Sequence, residues 1–163
     1  MGDYKQIIDK FIEKWSDEGN GIPQKESDLL SIQSKLICKF PNAYCYLILE
    51  FGDITTQRLM ASIADGGYEL PDLLIFYSLE KAIQTTHELY TDGLPDRLFS
   101  FASSMLGNQF CFDLDECSQE SYENAAVLCF FQDDKKVYYI ADSFTLFIEQ
   151  YMQVKNIFDY NED

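Results

Sequence analysis

A chain of 163 residues with 47% hydrophobic and 15% aromatic side chains is long enough to bury a proper core and too apolar to be disordered. Its net charge of −16, from 28 acids against 12 bases, repels nucleic acid and anionic lipid and speeds encounter with basic proteins, beyond the solubility that acidity confers. No segment approaches the ~20 consecutive apolar residues of a membrane span.

The start, MGDYKQIIDKF, carries neither a signal core nor a transit bias, and Gln6 breaks the myristoylation pattern that Met-Gly would open. A cytoplasmic chain forming one domain over residues 1–163 is therefore expected.

Tyr4, Ile7, Ile8, Phe11, Ile12 and Trp15 fall at helical spacing and predict an amphipathic helix over 4–15. SDEGNGIP (16–23) is a turn that stops one helix and starts another. Leu29, Ile32, Leu36 and Phe40 predict a second helix over about 24–38. Pro41 suits the first turn of a third, with Tyr44, Leu47 and Ile48 on one stripe and Gly52 as its stop.

The character then changes. Residues 54–64 and 73–77 read as strands on either side of the loop DGGYELPD. Ser78 as N-cap, with Glu80 in the first turn, predicts a helix to about Tyr90, broken by Asp92, Gly93 and Pro95. Strands at about 97–103 and 109–114 pair across Gly107-Asn108, or across a longer loop. An acidic irregular segment (115–124) leads to the apolar strand AAVLCFF, and a turn at Gln132-Asp133-Asp134 returns the chain as KVYYI. Asp142 or Ser143 caps a final helix whose Phe144, Phe147, Ile148 and Tyr151 face the sheet, and the tail Asn161-Glu162-Asp163 is expected to fray. Helices, then mainly antiparallel strands, then a helix make an α+β chain.

Catalytic chemistry finds little to stand on. Five cysteines (Cys38, Cys45, Cys111, Cys117, Cys129) are an odd number without CxxC spacing, and His87 is the lone histidine, so buried reduced thiols without disulfide, metal or cofactor are expected. His87 lies on a polar helix face with no nucleophile placed beside it. Asp65 and Glu69 flank Gly66-Gly67 and would repel a phosphate, which leaves a loop tip. Trp15 reads as helix-to-core packing, with an exposed anchor as the alternative. Asp113 and Asp115, two apart at a strand end, would project to one face beside Glu116 if the backbone were extended there; a solvated strand end, a turn cap, a partner-binding cluster and an acid pair for catalysis are the open readings.

Three segments, in order, carry a resemblance. FPNAYCYLILEFGD (40–53) is similar to the Leu-Pro-x-x-Tyr segment of the SUKH superfamily, whose members include Smi/Knr-type and Syd-type proteins. LFSFASSMLGNQFCFDL (98–114) resembles its strand–turn–strand signature ending in Asp, and VYYIADSFTLFIEQYM (137–152) its strand passing into an Ala-x-Ser-Phe helix. Phe51-Gly52-Asp53 departs from the usual Asn-Gly-Gly, and a Gly often found before the Leu-Pro is absent, which bears on the subfamily. The resemblance implies an α+β fold with a twisted, mainly antiparallel sheet of about six strands, N-terminal helices and a C-terminal helix. It implies an immunity protein that neutralises a bacterial toxin domain, commonly a nuclease or deaminase, by stoichiometric binding; some eukaryotic members are instead intracellular regulatory scaffolds. No catalytic residues come with it.

From Leu98 to Asp134 the sequence has no Lys or Arg but contains Asp113, Asp115, Glu116, Glu120, Glu123, Asp133 and Asp134. Those seven are the expected contacts for a basic protein partner, with neither nucleic acid nor membrane involved.

Overall fold

A computed structural model describes residues 3–19 and 21–159; the expected fraying of Asn161-Glu162-Asp163 lies outside them. The first helix, α1 (Tyr4–Trp15), starts where the Asp3 side chain accepts the Lys5 N–H at 3.0 Å, and it buries Ile8, Phe11 and Trp15 completely. Its partner is the last helix, α7 (Phe144–Met152), capped by Ser143, whose hydroxyl accepts the Leu146 N–H. Two groups lock the pair. Trp15 Nε1 donates to the Tyr151 carbonyl at 3.1 Å, and Lys14 Nζ donates to the carbonyls of Met152 (3.2 Å), an orphan acceptor at the end of α7, and of Val154 (2.9 Å) just beyond it.

Between these lie α2 (Glu26–Leu36) and α3 (Asn42–Glu50). Gly52, with φ of +83°, turns the chain out of α3, and a Cβ there would stand 1.9 Å from the Ile22 carbonyl oxygen. That close approach lets the loop before α2 fasten to α3. Gln24 N donates to the Ile48 carbonyl at 3.0 Å, and Ile22 N to Asp53 Oδ1 at 2.8 Å.

The strand expected over 54–64 is instead α4 (Gln57–Gly66). Leu59 and Ile63, one helical turn apart, bury on one face, and Gly67 at φ +70° caps the end, so Gly66-Gly67 is a helix terminus and not a loop tip. Only Thr55 keeps strand character, in an isolated bridge to Ile75. The sheet accordingly has five strands where about six were expected.

Those strands are β1 (Ile75–Phe76), β2 (Leu98–Ser103), β3 (Gln109–Asp113), β4 (Val127–Phe130) and β5 (Val137–Ala141), arranged in that spatial order with every neighbour antiparallel. β2 and β3 are joined by a five-residue loop, Ser104–Asn108, the longer of the two expected connections; Gly107 sits at φ +85°. One face of the sheet carries Phe99, Phe101, Phe110, Phe112, Val127 and Cys129 into the main core shared with α1, α3 and α7. The other carries Leu98, Cys111 and Phe130 against Leu94, beneath α5 (Leu79–Tyr90). Burial on both faces explains why β2 is buried at every position, with no exposed alternate residues. As expected, Ser78 caps α5 by accepting the Lys81 N–H at 3.1 Å.

Tyr44 of α3 stands at the centre of the main core, its ring 5.3–5.7 Å from those of Phe40, Phe101, Phe112 and Phe144. A bulge in β2 between Ser100 and Ala102 accommodates Phe101, which stacks on Phe112 at 4.4 Å. A buried polar knot fixes the register beside it. Gln109 Oε1 accepts the hydroxyls of Ser100 (2.6 Å) and Tyr77 (2.8 Å), while its Nε2 donates to the Gly107 carbonyl at 2.8 Å. Among the described residues no helix is long and apolar enough to cross a membrane.

Candidate protein-binding site

The seven acids of the base-free stretch fall into two groups at opposite ends of the sheet. β3 ends at Asp113, while the β4–β5 turn holding Asp133 and Asp134 lies beside Asn108, whose Oδ1 accepts the Gln132 N–H at 3.0 Å. The chain between the two groups is committed to β4, so one continuous patch of seven does not form.

The first group follows β3. Extended backbone stops at Asp113, which caps a short helix, α6 (Leu114–Cys117), by accepting the Asp115 N–H at 2.9 Å. The arrangement that would put Asp113 and Asp115 on one face of a strand is therefore absent. Arg97 closes on Asp113 from the neighbouring strand end, Nε to Oδ2 at 3.2 Å, and leaves that side chain 15% exposed. Glu116 Oε1 faces the Ala126 N–H at 3.4 Å. Glu123, in the 3-10 turn Tyr122–Asn124, accepts the Asn42 N–H at 2.6 Å. Asp115 and Glu120 are exposed, with no hydrogen bond or ion pair to their carboxylates among the described residues.

In the second group Asp134 takes the Lys136 N–H at 3.0 Å and the Tyr138 hydroxyl, and that hydroxyl holds its carboxyl below the ordinary value. Asp133 projects freely from the turn. Lys135 reaches Asp92 at 2.9 Å. Residues from outside the stretch thus meet both groups: Arg97 pairs with Asp113 at one end, and the Lys136 N–H donates to Asp134 at the other. Lys39 Nζ lies 5.6 Å from the centre of the Tyr122 ring. Three of the seven, Asp115, Glu120 and Asp133, are left with no partner in the fold among the described residues, whereas Asp113, Glu123 and Asp134 serve it.

A groove of about 700 Å³ adjoins the first group. One wall is the outer face of α2, with Leu30, Gln33, Ser34 and Ile37; the other is the segment from Cys117 to Glu120 with Tyr122. The Lys39 N–H donates to the Cys117 carbonyl at 2.9 Å and ties the walls together. Sequence reasoning passed over this groove because Leu30 and Ile37 lie off the Leu29–Ile32–Leu36 stripe that announces α2.

The thiols are not poised for chemistry. Burial pushes Cys38 up to about 11, Cys45 and Cys129 to about 12, and Cys111 and Cys117 upward as well. His87 is exposed, its ring edge-on to Tyr90 at 5.9 Å. Among the described residues no three His, Cys, Asp or Glu side chains converge on a metal-sized site.

An antiparallel five-stranded sheet is held between N-terminal helices, a C-terminal helix and α5, with the groove beside α2 at one end. The profile of the SMI1 / KNR4 family (SUKH-1) matches residues 23–150, and the chain belongs to that family. Among curated proteins no relative matches it.

Proposed function

We propose that this chain is an immunity protein of the SUKH type: it binds a cognate bacterial toxin domain in the cytoplasm and neutralises it by stoichiometric protein–protein contact. The toxin is a basic nuclease or deaminase of a polymorphic or contact-dependent system. Membership of the SUKH-1 family across residues 23–150 carries this reading. The net charge of −16 supports the sign of the partner, since a nuclease or deaminase that grips nucleic acid presents a basic surface to the acids of an inhibitor. The exposed carboxylates of Asp115 and Glu120 beside the groove, and of Asp133 at the far turn, are free to imitate the phosphates that such a toxin binds.

Co-expression tests it. The gene encoded beside this chain should kill when expressed alone and be tolerated when the chain accompanies it. Death in both cases would remove the immunity reading and leave the regulatory-scaffold role of other SUKH proteins as the one to pursue.

A further inference from the structure

The residue that ends α2 is unusual for where it sits. Ile37 adopts the left-handed conformation (φ 53°, ψ 53°), where its own N–H closes on the carbonyls of Gln33 and Ser34. Glycine or asparagine fits that position without strain; a β-branched side chain there crowds its own backbone. The strain gains nothing inside the fold, because Ile37 is 81% exposed. Leu30, seven residues earlier on the same helical face, is 56% exposed. Gln33 and Ser34 complete an i, i+3, i+4, i+7 row along one wall of the groove, so α2 has two faces: Leu29 and Ile32 turned into the core, and Leu30 with Ile37 turned out.

We infer that this groove, between the outer face of α2 and the α6 segment, is the docking surface for an apolar anchor on a positively charged segment of the partner protein. The assignment rests on the immunity reading for the partner's identity. The groove's own chemistry selects the segment. Leu30 and Ile37 offer apolar area to an aliphatic or aromatic side chain. Within the groove Lys39 offsets Glu120, so Lys or Arg side chains flanking the anchor answer the exposed Asp115 just outside it and the net charge of −16. Lys39, held at the Tyr122 ring, is the base present in the groove. A second copy of this chain is disfavoured as occupant, since it would bring the same acids and another charge of −16.

The test uses Ile37→Gly and Leu30→Ser in the full chain, with Leu106→Ser, an exposed residue of the β2–β3 loop, as control. The probe is the catalytically inactivated toxin domain encoded beside the chain, with affinity measured by titration calorimetry. Ile37→Gly should raise the melting temperature by about 2–4 °C through release of strain, yet weaken binding about tenfold or more. Leu30→Ser should weaken binding similarly with little change in melting, and Leu106→Ser should leave binding unchanged. Wild-type affinity in both groove variants would overturn the inference and leave the immunity reading standing. Failure of the wild-type chain to bind would remove both. A lowered melting temperature in Ile37→Gly would show that the side chain serves the fold, and loss of a wild-type dimer in sedimentation on the same substitutions would make a second copy the occupant; either result overturns the assignment.

Discussion

Glu123 caps a helix 81 residues away: its Oε1 accepts the Asn42 N–H at 2.6 Å, at the start of α3. Pro41 precedes that helix and offers no side-chain acceptor of its own, so the carboxylate satisfies an orphan donor and favours the positive end of the helix dipole. The same bond holds the acidic 114–124 segment against α3 and so sets one wall of the groove.

Glu123→Ala should lower stability by about 1 kcal/mol and the melting temperature by about 2–4 °C, while Glu123→Gln, which keeps an acceptor, loses less. Thermal melts of the two variants would check this. Equal melting of Glu123→Ala and wild type would mean that water replaces the cap at no cost.

Tyr44 presents the opposite case, a polar atom without a partner. Its hydroxyl is fully buried among four aromatic rings and makes no hydrogen bond among the described residues, and burial drives the phenol far above its ordinary value. Tyr44→Phe removes an unpaired buried dipole and keeps the ring, so stability should rise by about 1 kcal/mol. A urea titration giving a clearly lower midpoint for Tyr44→Phe would reveal a partner, such as an internal water.

The thiols make stability fall in alkali. Cys38 at about 11 and Cys45 and Cys129 at about 12 stand above the ordinary thiol value of 9.0, and Cys111 and Cys117 are raised too. Between the two values the unfolded chain releases protons that the folded chain retains, so rising pH favours unfolding. This contribution is whole below pH 9 and is lost progressively as the pH rises toward about 11 and beyond. Urea midpoints from pH 7.5 to 10.5 should be level at first and then drop. A curve flat to the end would mean that the thiols ionise in the fold as they do outside it.

Much of this architecture was legible in the sequence because its signals were local. Ser78 and Ser143 announced their helices by capping chemistry, and Phe144, Phe147, Ile148 and Tyr151 are the four residues that α7 buries. The segment 54–64 was misread because β-branched Ile54, Thr55 and Thr56 open it; the Leu59–Ile63 spacing and the Gly66-Gly67 stop were the helical signals. The candidate site was less legible for a physical reason. A stretch free of Lys and Arg in sequence is not free of them in space, where Arg97 reaches Asp113, and a carboxylate's availability depends on whether a distant N–H such as that of Asn42 claims it.

Charge reversal follows that sorting. Asp115→Lys with Glu120→Lys alters two exposed acids that make no hydrogen bond in the fold among the described residues, whereas Glu116 faces Ala126 and is best left alone. The double variant should fold normally and associate about tenfold more slowly with the toxin domain at low salt, the difference shrinking as salt shortens the screening length to about 10 Å at 0.1 M. Stopped-flow association rates at two ionic strengths measure it. Rates indifferent to both salt and reversal would remove the electrostatic part of the account.

Neutralisation by one-to-one binding is tested most sharply by titrating with this chain the activity of a toxin domain encoded beside it. Activity should fall linearly to the background rate at one equivalent, with the complex eluting as a single one-to-one species. Activity that persists beyond several equivalents, or that is already abolished by far less than one equivalent, would contradict stoichiometric neutralisation.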